Sequence, residues 1–135
     1  MSKKVRVLLA DDEAHIRQLM KGVLLVMKAE IVAEAGNGIE TLALFRTHKP
    51  DITLLDINMP RMDGLQTLKS IQEESPGAVV IMLSSLATLG VVQDCLDAGA
   101  YDFIRKDTPI AEIKVIIKKA WSHFLQSHAP AGDLA

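Results

Sequence analysis

The residues with the clearest chemical potential are acidic side chains that follow short apolar segments. Asp11 and Asp12 come directly after VRVLLA (5–10), and Asp56 ends ITLLD (52–56). Short segments this rich in aliphatic residues predict strands that are buried on both faces of a sheet. Burying a carboxylate at the end of such a strand costs free energy unless a partner compensates the charge. These positions therefore require a chemical or structural explanation.

Two further segments end next to polar side chains. Ser84 follows AVVIML (78–83), and Lys106 follows YDFIR (101–105). Because sites in open α/β sheets form beyond the carboxyl ends of the strands, we expect the acids, the hydroxyl and the ammonium to converge. Each close pair of carboxylates would cost about 4 kcal/mol at an effective dielectric constant of about 20. Clustered carboxylates suit a hard divalent cation, and Mg²⁺ is the usual ion in phosphate chemistry.

The predicted cluster is suited to phosphoryl transfer. Three carboxylates, one lysine and one Mg²⁺ would sum to zero charge and leave room for an anion. An ionised Asp56 can attack phosphorus and form an aspartyl phosphate. The Lys106 ammonium and the Ser84 hydroxyl can then stabilise the phosphoryl oxygens. The residue types thus predict a phosphoacceptor site at one edge of the sheet.

Each group also has an ordinary structural explanation. Asp11–Asp12 could cap the first helix, and Ser84–Ser85 could cap the fourth. Asp56 could be a turn residue before Met59-Pro60, and Lys106 could be a solvated surface charge. Taken singly, most of these readings are the more common ones. Taken together they are weaker, because they must explain why four strands place matching groups at one edge.

Alternating strand and helix patterns place these groups. Five apolar segments alternate with stretches whose apolar residues recur at helical spacing. Five such units predict an open parallel sheet with helices on both faces and right-handed crossovers. The predicted strands are 5–10, 30–35, 52–56, 78–83 and 101–105.

Composition narrows the class of protein. The chain has 135 residues, 49% of them hydrophobic, and a formal net charge of −2, which fits one globular domain. There is no basic excess, so we expect no direct binding of nucleic acid. Cys95 is the single cysteine, and no apolar run approaches the roughly 18 residues of a membrane span. We therefore expect a cytoplasmic protein that does not enter a membrane.

Several other residues suggest structural roles. Glu13 is an acid favourable in the first turn of a helix, and Asp63 is the expected N-cap of the third helix. Cys95, Trp121 and Phe124 fall on apolar helical faces and are expected in the core.

Four stretches, VLLADDE, ITLLDINMPRMDG, VIMLSS and AGAYDFIRK, together resemble the response-regulator receiver domain of two-component signalling. The resemblance covers residues 4–125, and residues 126–135 are expected to form a disordered C-terminal tail. It implies the CheY-like, flavodoxin-like α/β fold, which is a five-stranded parallel sheet in the order 2-1-3-4-5 flanked by five helices.

The resemblance also implies a role for each matching residue. Asp56 matches the phosphoacceptor, and Asp11 and Asp12 match the acidic pair that binds Mg²⁺ together with Asp56. The Asn58 backbone carbonyl matches a further Mg²⁺ ligand. Ser84 matches the switch hydroxyl, Lys106 the lysine found in receivers, and Phe103 the aromatic residue that changes rotamer on activation.

Two positions depart from the common receiver pattern. Asp107 follows the lysine where many receivers have a proline, often after a cis bond, so no cis bond is expected here. Leu86 is bulky and apolar where polar residues are common. Leu86 and Asn58 both bear on how water reaches the phosphoryl group, so the sequence does not predict the lifetime of the phosphorylated form.

The implied function is a signalling switch and not an enzyme. A histidine kinase or phosphotransfer protein would phosphorylate Asp56, and the face of the fourth helix, fifth strand and fifth helix would change its affinity for a protein effector. We expect a stand-alone receiver. The alternative is the receiver of a response regulator whose DNA-binding output domain is absent from this chain.

Other classes fit the residues less well. Haloacid dehalogenase-type phosphatases place a second Asp two residues after the nucleophile, where this chain has Asn58. Flavodoxin-like nucleotide binders usually have a Ser, Thr or Gly loop after the first strand, where this chain has acids. A receiver fold retained only for docking would not need the complete set of acceptor-site residues.

Overall fold

The fold is taken from a computed structural model, which describes residues 4–85 and 88–127. Five parallel strands form one sheet in the order β2-β1-β3-β4-β5, so the predicted fold is confirmed. Every residue of β3 and β4 is buried, which explains why their sequences are continuously apolar. Within the described residues, no helix is both long and apolar enough to cross a bilayer. The strands are β1 (Arg6–Ala10), β2 (Glu30–Ala35), β3 (Ile52–Asp56), β4 (Val79–Ser84) and β5 (Asp102–Arg105).

Five helices cover the two faces of this sheet. The first and last pack on one face, where Met20, Ile113 and Ile117 meet the apolar side chains of β1, β3 and β4. The other three pack on the opposite face through Phe45 and Ile71, among others. The helices are α1 (Ala14–Val26), α2 (Gly38–His48), α3 (Gly64–Glu74), α4 (Leu89–Asp97) and α5 (Ile110–Ser127).

Side chains cap the amino ends of three helices. Asp63 is the N-cap of α3, as predicted, and it also forms a reciprocal capping box with Gln66. Asn37 caps α2, and Thr88 caps α4 by accepting a hydrogen bond from the Val91 N–H. The interpretation of Ser84–Ser85 as the cap of α4 is therefore wrong.

Two glycines allow close packing near the carboxyl edge of the sheet. A Cβ on Gly64 would lie 2.1 Å from the Asp56 carbonyl oxygen, and one on Gly38 would lie 2.2 Å from the Met62 carbonyl oxygen. The Gly64 N–H also donates to the Ile57 carbonyl at 2.7 Å. The loop after β3 therefore folds back onto the strand end only because position 64 has no side chain.

The element boundaries differ slightly from prediction. β1 begins one residue later than expected, β4 is shifted by one residue and includes Ser84, and β5 begins at Asp102. α5 continues through Gln126 and Ser127, and the remainder of the predicted tail lies outside the described residues. Leu86 also lies outside them. All peptide bonds of the described chain are trans, including the one before Asp107.

Candidate functional site

Four acidic side chains meet at the carboxyl edge of the sheet. One carboxylate oxygen from each lies within 4.8 Å of the corresponding oxygens of the other three. Asp11 and Asp12 follow β1, and Asp56 ends β3, which pairs directly with β1. The fourth is Glu13, the last residue before α1. The structure therefore brings Asp11, Asp12 and Asp56 together, as the sequence predicts.

Lys106 reaches into this cluster from the turn after β5. Its Nζ lies 2.6 Å from Glu13 Oε1, 2.9 Å from Asp11 Oδ2 and 3.2 Å from Asp56 Oδ2. Its side chain is only 7% exposed. Burial disfavours the charged form, but the hydrogen bond to Glu13 and the ion pairs with Asp11 and Asp56 outweigh burial and raise the Lys106 pKa. The lysine thus remains a buried cation shared by three acids.

Asp56 is deeply buried and accepts few hydrogen bonds. The residue is 1% exposed, and its Oδ1 accepts one long hydrogen bond from the Asn58 N–H at 3.2 Å. Burial, followed by the nearby charge of Asp11, raises the Asp56 pKa from 3.8 to about 7, although Lys106 and the Asn58 N–H act in the opposite direction. The ionised form of Asp56 is therefore destabilised in the folded protein, and a further cation nearby would stabilise it.

Asp11 is fixed by its local backbone. Its Oδ1 accepts the Glu13 N–H at 2.8 Å, and its carbonyl accepts a hydrogen bond from Arg17 Nη1 at 2.6 Å. Glu13 occupies the N-cap position of α1, and no side chain caps that helix. The interpretation of Asp11–Asp12 as helix caps is therefore wrong. Asp11 instead turns the chain so that its second oxygen faces Lys106.

The turn that carries Lys106 is held on both sides. The Lys106 N–H donates to the Ser84 carbonyl at 2.8 Å, which anchors the turn to the end of β4. Arg105 and Asp107 form a two-bond ion pair at 3.0 and 2.8 Å, which spans the lysine on the exposed side. These contacts fix the backbone from which the long Lys106 side chain extends.

The remaining predicted residues lie close to the cluster or behind it. Ser84 is buried and lies one residue beyond Leu83, the register partner of Asp56. Asn58 is exposed and contacts Asp56 through its backbone N–H. Phe103 is half-buried in β5 and packs with the apolar cluster on the α2–α4 face of the sheet. Ser84 and Asn58 therefore border the acidic cluster, while Phe103 lies in the layer behind it.

Glu13 is the site residue that sequence reasoning missed, because it was interpreted as first-turn helix polarity. Its hydrogen bond to Lys106 is the shortest contact that the ammonium makes, and this bond lowers the Glu13 pKa. Its position next to Asp11–Asp12 was the only available signal, since an acid at a helix start is common for other reasons. With Glu13 included, the cluster contains four carboxylates and one lysine, and a divalent cation no longer neutralises its charge completely.

The donor set fits Mg²⁺. Asp11 Oδ2 and Asp56 Oδ2 are both buried, and neither accepts a hydrogen bond from the described residues. Native proteins rarely leave such oxygens unsatisfied, so each has capacity for a further partner. Clustered carboxylate oxygens are ligands of hard divalent cations, and Mg²⁺ is commonly held by one or two carboxylates with water and phosphate oxygens.

Comparison with known proteins identifies the family of this chain. The family described as "Response regulator receiver domain" matches residues 7–118. The chemotaxis protein CheY of Listeria monocytogenes serovar 1/2a is 39% identical over 116 residues, which are 86% of this chain and 98% of that protein. The transcriptional regulatory protein PdtaR of Mycobacterium tuberculosis is 35% identical over 130 residues, 96% of this chain and 63% of that protein.

A solved structure has the same fold. The matched chain belongs to the CheX-CheY-BeF3-Mg²⁺ complex from Borrelia burgdorferi, is 32% identical in sequence and superposes with a TM-score of 0.84. The match covers 87% of this chain and 89% of that chain.

Proposed function

This chain belongs to the response-regulator receiver family of two-component signalling, and from that premise we propose that it is a Mg²⁺-dependent switch phosphorylated on Asp56. The observation that carries the proposal is the pair of buried oxygens, Asp11 Oδ2 and Asp56 Oδ2, which face one ammonium and accept no hydrogen bond from residues 4–85 or 88–127. Such a pair is unfavourable in isolation and becomes favourable when a cation and a phosphoryl group complete the site.

The chemical step assigned to the chain is attack by an Asp56 carboxylate oxygen on phosphorus. In transfer from a histidine kinase or phosphotransfer protein, the new O–P bond forms as the phosphohistidine P–N bond breaks, and the imidazole leaves with the electron pair. The buried Lys106 ammonium lies 3.2 Å from Asp56 Oδ2, where it can pair with the incoming phosphoryl oxygens. Ser84, at the end of the neighbouring strand, supplies a hydroxyl that can donate to the same group.

Mg²⁺ would be held by Asp12, Asp56 and the Asn58 carbonyl, with Asp11 beside them, and would supply positive charge to the transferring phosphoryl group. The protein's own contribution is a fixed array of acids that repel each other until this charge arrives. We therefore expect Mg²⁺ to bind before the phosphodonor can approach Asp56.

The signal would leave through the surface of α4, β5 and α5. Cys95 is the sole buried residue of α4, all of whose residues are described, and Leu89 of α4 is 90% exposed. Few buried contacts hold α4 in one position, so a small rearrangement at Ser84 and Phe103 can change how it presents this surface. The predicted partner is a protein effector in the cytoplasm.

We further propose that the chain acts as a stand-alone receiver, without turnover as an enzyme. Its alignment with 98% of the Listeria CheY supports this proposal. The alternative, a receiver attached to a DNA-binding output domain in the natural protein, is distinguished by the mass of the protein recovered from its own cells. A mass well above 14.7 kDa would favour the alternative.

Acetyl phosphate with Mg²⁺ provides the direct test. Wild-type protein should gain one acid-labile phosphoryl group, measured by intact mass, and chelation of Mg²⁺ should prevent the gain. Asp56→Asn should gain none. Asp51→Asn is the matched control, because Asp51 is a buried acid immediately before β3, and this variant should still be phosphorylated. Phosphorylation of Asp56→Asn at the wild-type level would refute the proposal.

A further inference from the structure

A groove with an apolar floor and a basic rim lies at the amino edge of the sheet, away from the acidic cluster. It has a volume of about 740 Å³ and runs between the end of α1 and the middle of α5. The floor includes Val5, Ile117 and the half-buried Trp121. Its size is within the range of about 300–1,000 Å³ that is typical of ligand sites.

Apolar side chains at the groove are exposed to an unusual degree. Val26, which lines the groove at the end of α1, is 67% exposed. Val115 on α5, which faces the groove from the other side, is 52% exposed. Apolar residues that are exposed together and rimmed by polar ones are characteristic of interaction surfaces.

The rim of the groove carries only positive charge. Lys4, Lys28, Lys114 and Lys118 line it, and none of the acidic residues that the structure describes does. None of these four lysines forms an ion pair with another described residue, although the whole chain has a net charge of −2. The ion pairs of the described chain use other cations, namely Arg6, His15, Arg17, Lys21, Arg46, Arg105 and Lys106.

Charge determines which occupant fits. A second copy of the chain would bring the same four lysines against this rim, and like charges at close range are destabilising. An anionic bilayer would attract the lysines, but membrane surfaces are entered by protruding apolar residues and not by a concave floor. A protein segment can supply both carboxylates for the rim and a side chain for the floor.

We infer that this groove binds an acidic protein segment that inserts one large aliphatic or aromatic side chain between α1 and α5. The carboxylates of the segment pair with Lys4, Lys28, Lys114 and Lys118, which raises the association rate and fixes the orientation. The inserted side chain covers Val26, Val115 and Trp121 and supplies most of the affinity. Binding requires no phosphoryl group on Asp56, so the groove is a second recognition surface.

Trp121 makes the inference directly measurable, because it is the only tryptophan of the chain and it lines the groove. The probes are short synthetic peptides rich in Glu and Asp, each with one central Leu, Ile, Met or Phe. At least one should shift Trp121 fluorescence to shorter wavelength in a saturable way. Replacing its central residue with Ser should weaken binding by about tenfold or more, and added salt should weaken binding further.

Matched variants test the two parts of the groove. The double variant Lys28→Glu and Lys118→Glu should weaken binding by about tenfold at low salt. Lys69→Glu, at an exposed lysine of α3 outside the groove, should change it by less than about twofold. Val115→Ser should weaken binding without altering charge. Asp56→Asn should bind as wild type does, which separates this inference from the proposed phosphorylation.

Three results would overturn the inference. The first is that no peptide changes Trp121 fluorescence at millimolar concentration. The second is that the double lysine variant binds as tightly as Lys69→Glu. The third is that another occupant uses the groove: phosphatidylglycerol vesicles that bind through Lys28 and Lys118 when the peptides do not, or a dimer in sedimentation that Val115→Ser dissociates.

Discussion

Asp51 immediately precedes β3 and Asp56 ends it; both residues are buried, yet their surroundings differ. Asp51 Oδ2 accepts a hydrogen bond from the Arg6 N–H at 2.9 Å, and the Asp51 N–H donates to the Arg6 carbonyl at 2.8 Å. Asp56 Oδ2 accepts no hydrogen bond from the part of the chain that the structure describes, and it faces an ammonium that two other acids share. One strand thus has a well-bonded acid immediately before it and an under-bonded acid at its carboxyl end.

The difference separates a structural acid from a reactive one. At the amino end, Arg6 also donates to the carbonyls of His48 and Lys49, at 2.7 and 3.0 Å, so the polar atoms there join β1 to the chain entering β3. At the carboxyl end, the acids are close together and short of partners. Burial alone therefore does not indicate function. The informative property is the hydrogen-bonding capacity that remains unused after folding.

The largest expected effect concerns the loop that closes over Asp56. Gly64→Ala should lower the free energy of unfolding by about 3 kcal/mol, because its Cβ would overlap the Asp56 carbonyl and the backbone would have to move. Gly22→Ala, in α1 with open space around it, should raise stability by about 0.5–1 kcal/mol. Urea denaturation measures both. A Gly64→Ala protein as stable as wild type would mean that this end of β3 is loosely packed.

The two aspartates should respond with opposite signs to the same substitution. Without divalent cations at about pH 8, Asp56→Asn should raise the free energy of unfolding by about 1–3 kcal/mol, because it removes a charge whose burial is unfavourable. Asp51→Asn should lower that free energy by about 1–2 kcal/mol, because it weakens a hydrogen bond to the Arg6 backbone. Denaturant melts of both variants measure the contrast, and changes of equal sign would remove the distinction drawn above.

The pH dependence should come from Asp56. Its pKa is raised from 3.8 to about 7 in the folded state, so the folded chain binds the proton more tightly than the unfolded chain. Its contribution to stability is therefore fully present below about pH 4 and is lost as the pH rises through about 7. The stability difference between Asp56→Asn and wild type should grow by about 1–3 kcal/mol over that window, measured by chelator-treated melts at several pH values. A pH-independent difference would contradict it.

The smallest expected effect is at Glu13. Glu13→Gln should raise the rate of phosphorylation by acetyl phosphate by about two- to fivefold, because it loosens the hold on Lys106 and removes a charge that repels the phosphodonor. His15→Gln, which alters the exposed neighbour of Glu13, should leave the rate within about twofold. Mass spectrometry over time measures both rates. A slower Glu13→Gln would show that Glu13 positions Lys106 for the reaction and does not restrain it.

Much of the fold and the site followed from local patterns. Continuous apolar segments identified β3 and β4, and Asp63 was predicted as the N-cap of α3 because a cap depends on residue type next to a helical pattern. Three of the four clustered acids and Lys106 were also found, because each follows a strand of a parallel sheet. The errors were equally local. Asp11–Asp12 and Ser84–Ser85 were possible caps by residue type, and only the path of the chain showed that Glu13 and Thr88 occupy the cap positions.

The succession of strands and helices, and the chemical group at each strand end, could be read from the sequence, because both depend on periodicity and on residue type. How those groups share their partners depends on the folded chain. Glu13 takes the closest contact with Lys106, and Asp56 keeps an unbonded oxygen, through distances between residues far apart in the chain. The lysine-rimmed groove between α1 and α5 has the same origin, since its charges come from three separate segments. Hydrogen bonding and charge pairing depend on positions in space, and a linear pattern does not contain those positions.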